Sequence, residues 1–184
     1  MRILTTFAAA AAALAALITP AHADGPLGTK GDTLSMPVTD ALAALPAAAE
    51  NRTGYQRTAF RHWVDADRDG CNTRNEVLKA EAVIAPEQAA GCKLSGGQWY
   101  STYSNTYVDA PRALDIDHLV PLAEAWDSGA STWTAKEREA YANDLGDDRS
   151  LIAVTAATNR SKADQDPTDW LPPAKHVHGL LTGR

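Results

Sequence analysis

The stretch that most constrains the fold of this chain runs from Leu114 to Pro121 and reads Leu-Asp-Ile-Asp-His-Leu-Val-Pro. Apolar and acidic residues alternate along its first half, which is the period of a strand with one buried face. The strand would end at Asp117 and His118, so that a carboxylate and an imidazole would lie side by side. Since a single Asp-His pair is common on protein surfaces, other parts of the chain must supply the rest of any site.

A second strand is predicted over Arg149–Val154, and a helix over Thr155–Lys162 follows it directly. This order of strand, insertion, strand and helix would bring Asn159, on the first turns of that helix, back over the end of the first strand. The predicted fold class is therefore α+β, a mainly helical single domain built around a small ββα core at about 113–165.

Further elements are predicted from hydrophobic spacing and from helix-end signals. Residues 92–105, rich in glycine and aromatics, predict a short hairpin or ordered loop, followed by an extended run from Tyr107. The chain predicts one helix that starts near Thr39, one over 55–64, one from about Arg74 to Ala85, one after Pro121 through Trp126, and one from about Thr134 to Asn143. Gly146 would close the last of these helices.

The amino-terminal residues predict a secretory signal peptide over residues 1–23. Arg2 supplies a positive end, Ile3–Ile18 is apolar and rich in alanine, and Ala21-His22-Ala23 is a typical cleavage signal. Residues 24–37 hold glycine, proline, serine and threonine and predict a flexible lead-in, which leaves 38–184 as one domain. We therefore expect an exported, monomeric protein with no membrane attachment after cleavage.

Composition adds two constraints. The formal net charge is −6 at pH 7, so no overall basic field attracts nucleic acid over long range. Cys71 and Cys92 are the two cysteines of the chain. In an exported protein such a pair predicts a disulfide, and two thiols are too few for a structural zinc site.

An acidic loop precedes the helix that starts near Arg74. Asp65, Asp67, Asp69 and Glu76 fit the calcium-loop pattern D-x-D-x-D-G-x5-E position by position. Position eight of such loops is normally aliphatic, whereas here it is Asn72. Two readings stay open: a bound structural Ca²⁺, or a solvated acidic turn that caps the next helix.

Several short motifs follow one another in a fixed order in the second half of the chain. They are Asp115-Ile-Asp-His-Leu-Val-Pro-Leu122, Ala125-Trp126 with Ser128-Gly129, Tyr141-Ala-Asn-Asp-Leu145, Leu151-Ile-Ala-Val154 with Asn159-Arg-Ser-Lys162, and Asp166-Pro167 with Trp170-Leu-Pro-Pro173. With these motifs the chain resembles, over roughly 60–173, the secreted bacterial HNH (His-Me finger) nucleases, whose domain is shared with the C-terminal part of GmrSD restriction endonucleases.

The resemblance implies a metal-dependent endonuclease that hydrolyses phosphodiester bonds of DNA, with RNA left open, and with little sequence preference. His118 would be the general base, with a reference pKa near 6.5. Asp117 and Asn159 would hold one Mg²⁺ or Mn²⁺ ion through oxygen ligands. Asp115, in the same register as Asp117, would support that ion or bind it as well.

Other residues receive weaker expectations. Ser150 stands where the middle asparagine of the H-N-H pattern is usual, which leaves open what orients His118. Arg74 would either pair with Glu76 on its helix or face the site. The candidate phosphate contacts, each of which could equally be a solvated surface charge, are Arg149, Arg160 and Lys162.

Two alternatives to a nuclease remain at this stage. One is a calcium-stabilised extracellular binding protein without catalysis, in which the acidic loop is the functional element. The other is an inactive relative that binds nucleic acid without cutting it.

Overall fold

A computed structural model describes residues 37–44 and 48–173. The predicted signal peptide and all of the predicted lead-in except Pro37 lie outside the described residues. Helices and antiparallel sheets are both present, which confirms the α+β class. No helix of the described part is long and apolar enough to cross a membrane.

The helices are short and are spread along the chain. They are α1 (Val38–Ala44), α2 (Thr73–Ala80), α3 (Leu122–Asp127), α4 (Ala135–Ala142) and α5 (Ala156–Lys162), with 3-10 turns at Arg57–Ala59, Pro111–Ala113 and Ala130–Thr132. The strands are β1 (Ala82–Ile84), β2 (Glu87–Ala89), β3 (Lys93–Ser95), β4 (Gln98–Ser101), β5 (Thr106–Val108), β6 (Leu114–His118) and β7 (Leu151–Thr155).

The predicted order of strand, insertion, strand and helix is present. Strands β6 and β7 form an antiparallel pair in which Asp117 lies opposite Ile152 and His118 lies opposite Leu151. Helices α3 and α4 lie between these strands in sequence, and α5 begins directly after β7. The other strands form a sheet in the order β1-β4-β5 and a separate β2-β3 hairpin. The hairpin predicted over 92–105 corresponds to β4 and β5, and β5 starts one residue beyond that stretch.

Apolar side chains of β6 and β7 anchor the main core. Leu114 and Ile116 pack with Leu151, Val77 of α2 and Trp99 of β4 in one buried cluster. A second cluster joins Phe60 to the apolar faces of α3 and α4. Since both faces of the β6-β7 pair carry buried groups, the position of the end of β6 is tightly fixed.

The free edge of β7 is covered by side chains rather than by another strand. The amide of Ala153 donates to Glu81 Oε2 at 2.9 Å, and the amide of Thr155 donates to Ser101 Oγ at 3.0 Å. These bonds satisfy two backbone donors that a strand neighbour would otherwise have to satisfy.

Two predicted helices differ from the structure. Instead of a helix over 55–64 there is one 3-10 turn, after which Phe60 is extended and Trp63 has a φ of 62°. Phe60 packs in the cluster of α3 and α4, and Trp63 packs against the main core. Helix α2 ends at Ala80 rather than Ala85, because Val83 and Ile84, which favour extended backbone, enter a strand.

Two smaller predictions also have clear outcomes. Helix α4 ends before Asn143, so Gly146 is not its cap. The disulfide between Cys71 and Cys92 is confirmed, and it joins the loop before α2 to the β2-β3 hairpin. Closing this loop of about twenty residues stabilises the fold by roughly 3 kcal/mol in the chain-entropy model.

Candidate functional site

Strand β6 divides the site into two faces. Side chains alternate along a strand, so Asp115 and Asp117 point to one side and His118 points to the other. The aspartate side contacts α5, as the hydrogen bonds to Asn159 and Lys162 establish. The His118 side contacts the end of α4.

Asp117 is buried and is surrounded by donors. Lys162 Nζ lies 3.0 Å from Oδ1 and 2.9 Å from Oδ2, and the Tyr103 hydroxyl donates to Oδ2 at 2.7 Å. Burial raises the pKa of Asp117, and the Lys162 and Tyr103 contacts oppose this rise. A carboxylate at this depth requires such partners, because an unpaired buried charge is strongly destabilising.

Asn159 is oriented by the neighbouring aspartate. Its Nδ2 donates to Asp115 Oδ2 at 3.3 Å, and Arg160 Nε donates to the same oxygen at 3.3 Å. Because an ionised carboxylate only accepts hydrogen bonds, this contact identifies the nitrogen of the Asn159 amide and leaves its oxygen available as a ligand. Asp115 therefore contacts Asn159, and its role in supporting or binding a metal ion stays a prediction.

His118 is held by a backbone carbonyl. Its Nε2 lies 2.9 Å from Ala142 O, and a carbonyl can only accept, so Nε2 carries the proton. In the neutral ring Nδ1 is then the unprotonated nitrogen. Trp63 packs beside the ring, with centroids 5.8 Å apart.

The surroundings of His118 favour its neutral form. Its pKa is lowered to about 4, chiefly because burial disfavours the charged imidazolium. The hydrogen bond to Ala142 opposes this effect, and the positive charge of Arg57 adds to it. At neutral pH the ring is therefore uncharged, with a lone pair on Nδ1, and the same burial also makes it a weaker base than a free imidazole.

The sequence left open which group orients His118, and Ser150 does not contact the ring. Ser150 Oγ donates to Asp144 Oδ2 at 2.8 Å, which engages its hydroxyl away from the histidine. Asn143 instead fixes the end of α4. Its amide accepts from Val64 N and Thr73 Oγ1 at 3.1 and 2.8 Å, and donates to two backbone carbonyls at 2.8 and 2.7 Å.

One cavity at the end of β6 is lined by residues from both faces of the strand. The cavity has a volume of about 450 Å³ and is lined by Asp117, His118 and Asn159 together with Arg57 and Arg160. The structure therefore brings together the predicted base and both predicted metal ligands. A second cavity, of about 300 Å³, also touches His118 and lies beside Arg149.

The three candidate phosphate contacts have different positions. Arg160 is exposed and lines the main cavity, while Arg149 is exposed and pairs with Asp147 at 2.7 Å. Lys162 is 5% exposed, and its ammonium is bound by Asp117 and by His118 O at 3.0 Å. A phosphate cannot reach that ammonium without breaking the buried pair, so Lys162 is corrected to an internal partner of Asp117.

Arg74 supports the strand rather than the site itself. Its guanidinium donates to Pro111 O and Leu114 O, both at 3.0 Å, which fixes the start of β6. Neither of the two predicted arrangements is present, because Glu76 pairs with Lys79 at 3.3 Å instead.

The acidic loop brings its carboxylates close together. Asp65, Asp67 and Asp69 can place oxygens within 4.8 Å of one another, and all three are exposed. Their side chains accept from backbone amides of the same loop, including Gly70 N to Asp65 at 3.1 Å. Asn72 rather than an acidic residue caps α2, through Asn75 N at 3.1 Å. This arrangement leaves both readings of the loop open.

Several residues of the site were not anticipated. The Ala142 carbonyl has no side-chain signature, so no residue pattern could have identified it. Tyr103 lies in the glycine-rich stretch, where one tyrosine cannot be told from its neighbours by spacing. Arg57 lies in the segment 55–64, where the predicted helix is wrong. The direction of the Arg57 side chain could therefore not be predicted.

The chain was compared with known proteins. Residues 73–178 match the model of the C-terminal domain of GmrSD restriction endonucleases. A protein of Arthroderma benhamiae named "Uncharacterized secreted protein" is 36% identical over 168 residues, which are 91% of this chain and 80% of that relative. No solved structure matches. The family match covers more than half of the chain and includes β6, β7 and α5, so this protein belongs to the family of the C-terminal domain of GmrSD restriction endonucleases.

Proposed function

We propose that this protein is an exported, metal-dependent endonuclease of the HNH type that hydrolyses phosphodiester bonds of DNA with little sequence preference, and that RNA is a second substrate to be tested. The observation that carries the proposal is the histidine: His118 is neutral, has a fixed tautomer, and shares one cavity with Asp117 and Asn159. Membership of a restriction-endonuclease family supports a nuclease-related function.

In the proposed reaction His118 acts as the general base. Nδ1 takes a proton from the attacking water, and the Nε2 bond to the Ala142 carbonyl stabilises the imidazolium that forms. The carbonyl also keeps the ring from rotating, so the lone pair stays in one direction. A positioned base of this kind contributes typically about 10²- to 10⁴-fold in rate.

The residues of the cavity fit a hard divalent cation. Asp117 offers a carboxylate and Asn159 offers an amide oxygen, which are ligands of the type that Mg²⁺ and Mn²⁺ prefer. Asp117 Oδ1 accepts from Lys162 and retains a lone pair for a metal, whereas Oδ2 is contacted by both Tyr103 and Lys162. Such an ion, when bound, would stabilise the negative charge that develops on the phosphate.

Export is part of the proposal. The apolar amino-terminal run and the cleavage signal predict it, and the name of the similar Arthroderma benhamiae protein supports it. The acidic net charge fits an enzyme that binds phosphates locally rather than over long range. We expect the mature protein to act as a monomer.

The proposal is tested with a plasmid-nicking assay in Mg²⁺, Mn²⁺ or Ca²⁺ and with chelator. We expect metal-dependent nicking by the wild type and a loss of about 10²- to 10⁴-fold in His118→Ala, because the base is removed. His62→Ala is the comparison variant, since the His62 ring bonds Phe60 O at 2.9 Å and lies outside the cavity lining. Only a small change in nicking is expected there, because His62 contacts Trp63, which packs beside His118.

Three outcomes separate the alternatives. Equal nicking by His118→Ala and wild type would reject His118 as the base. A gel shift without cleavage in every metal would indicate an inactive relative that binds nucleic acid. The absence of both cleavage and nucleic-acid binding would favour the calcium-stabilised binding protein.

A further inference from the structure

Arg57 lies at the cavity of the proposed nuclease site, although it comes from a distant part of the sequence. It precedes the matched family region, which begins at residue 73. Its side chain is exposed and lines the cavity together with Asp117, His118 and Asn159.

The backbone that carries Arg57 is firmly held. The 3-10 turn Arg57–Ala59 is followed at once by Phe60, which is fully buried in the cluster of α3 and α4. Ala59 O also accepts from Arg138 Nε at 3.1 Å. The guanidinium therefore projects from a fixed point rather than from a free loop.

The charge of Arg57 has no carboxylate partner within residues 37–44 and 48–173. Arg160, the other arginine of the cavity lining, pairs with Asp115 at 3.3 Å. Arg52, which also belongs to the segment before α2, binds Glu124 at 2.9 Å. Arg57 is thus the arginine of this cavity that forms no ion pair with a carboxylate among the described residues.

We propose that Arg57 binds the non-bridging oxygens of the phosphodiester that is cleaved, as a catalytic residue that the chain supplies from outside the matched family region. A guanidinium is always charged and can donate two parallel hydrogen bonds to phosphate oxygens. It would hold the phosphate beside His118 and stabilise the charge of the transition state. This inference rests on the proposed nuclease function.

The test compares Arg57→Ala and Arg57→Lys with Arg61→Ala. Arg61 is the matched control, because it lies on the same segment, is exposed, and pairs with Glu139 at 3.2 Å outside the cavity. We expect kcat/KM on an oligonucleotide to fall roughly 10²- to 10³-fold in Arg57→Ala. Arg57→Lys should recover part of this loss, since it keeps the charge but not the paired donors.

A binding measurement supplies a readout that does not depend on cleavage. The Kd of a fluorescent single-stranded oligonucleotide is measured by anisotropy in chelator at several salt concentrations. Loss of one phosphate contact on a single strand should weaken binding and reduce the slope of log K against log salt by about 0.7 in Arg57→Ala. Arg61→Ala should keep the wild-type slope.

The outcomes distinguish the two proposals. If the wild type cleaves and Arg57→Ala matches Arg61→Ala in both kcat/KM and salt slope, Arg57 is not a phosphate contact. If the wild type does not cleave in any metal, the nuclease proposal fails, and an unchanged salt slope would then reject the Arg57 contact separately. Should Arg57→Ala fail to fold, a folded Arg57→Gln with wild-type kcat/KM and salt slope would overturn the inference.

Discussion

Two groups of aspartates in this protein have opposite surroundings. Asp117 is buried, and its oxygens are bound by Lys162 and Tyr103. The carboxylates of the acidic loop at 65–69 are exposed and accept hydrogen bonds from the backbone of their own loop. Asp117 therefore depends on distant parts of the chain, whereas the loop carboxylates form hydrogen bonds with residues close to them in sequence.

The contrast shows where a charged side chain contributes to the stability of the fold. At Asp117 the protein supplies its own cation, so removal of that cation should damage the fold. In the acidic loop solvent stabilises the carboxylates, so removal of one should matter only if an ion binds there. Glu81 is an intermediate case, since it is half-buried and accepts one backbone amide.

The largest effect is expected when the buried pair is broken. Lys162→Met leaves the Asp117 carboxylate without its cation and should lower the free energy of unfolding by about 3–5 kcal/mol, measured by urea denaturation at pH 8. The double variant Lys162→Met/Asp117→Asn should recover part of the loss, because the uncompensated charge is gone.

An exposed ion pair provides the control for this prediction. Arg149 pairs with Asp147 at the surface, where water screens the interaction. Arg149→Met should therefore leave the denaturation midpoint close to that of the wild type. Equal midpoints for Lys162→Met and Arg149→Met would contradict the structural role assigned to the buried pair.

The next effect concerns the acidic loop. If Ca²⁺ binds there, calcium at about one hundred times its Kd would add about 2.7 kcal/mol of stability to the wild type. Asp67→Ala should abolish the calcium-induced rise in melting temperature, and Glu87→Gln, an exposed acid outside the loop, should keep it. A rise that persists unchanged in Asp67→Ala would identify the loop as an acidic turn only.

The third prediction concerns Glu81. Burial raises the pKa of this carboxyl to about 7 from the usual 4.5, against the Ala153 hydrogen bond, which lowers it. Between pH 4.5 and about 7 the folded state keeps a proton on Glu81 that the unfolded state has released. The contribution of Glu81 to stability is therefore full below pH 4.5 and is lost as the pH rises to about 7. Glu81→Gln should remove this dependence.

The Glu81 prediction is checked by thermal melting between pH 4 and pH 8. The melting temperature of Glu81→Gln relative to the wild type should increase as the pH rises through this range. The amide retains an acceptor for Ala153 N, so the hydrogen bond at the edge of β7 is kept. A constant difference between the two proteins across this range would show that Glu81 does not titrate as described.

The sequence predicted the parts of the site that depend on local pattern. Alternation identified β6 as a strand, and the apolar run identified β7 and the start of α5. Asn159 could be placed near His118 because strand order and helix position follow from these elements alone. The cysteine pair was predictable from its number and from the expected compartment.

The remainder of the site depends on contacts between distant residues. Lys162 was expected at the surface because lysine usually lies there, and only its pairing with Asp117 explains its burial. The segment at 55–64 has helical spacing, but Tyr55 and Phe60 pack in the cluster of α3 and α4, whereas Trp63 packs against the main core. Tertiary packing overrode local propensity there, and Arg57 was missed as a result.

The four hydrogen bonds of the Asn143 side chain define the smallest unit that should be expressed. They join the end of α4 to Thr73, at the start of the matched family region, and to Arg61 and Val64, which precede it. A truncated protein that begins at residue 73 would lose the backbone partners at 61 and 64 together with the Phe60 anchor. The amino-terminal boundary for any expressed fragment therefore belongs upstream of Arg57.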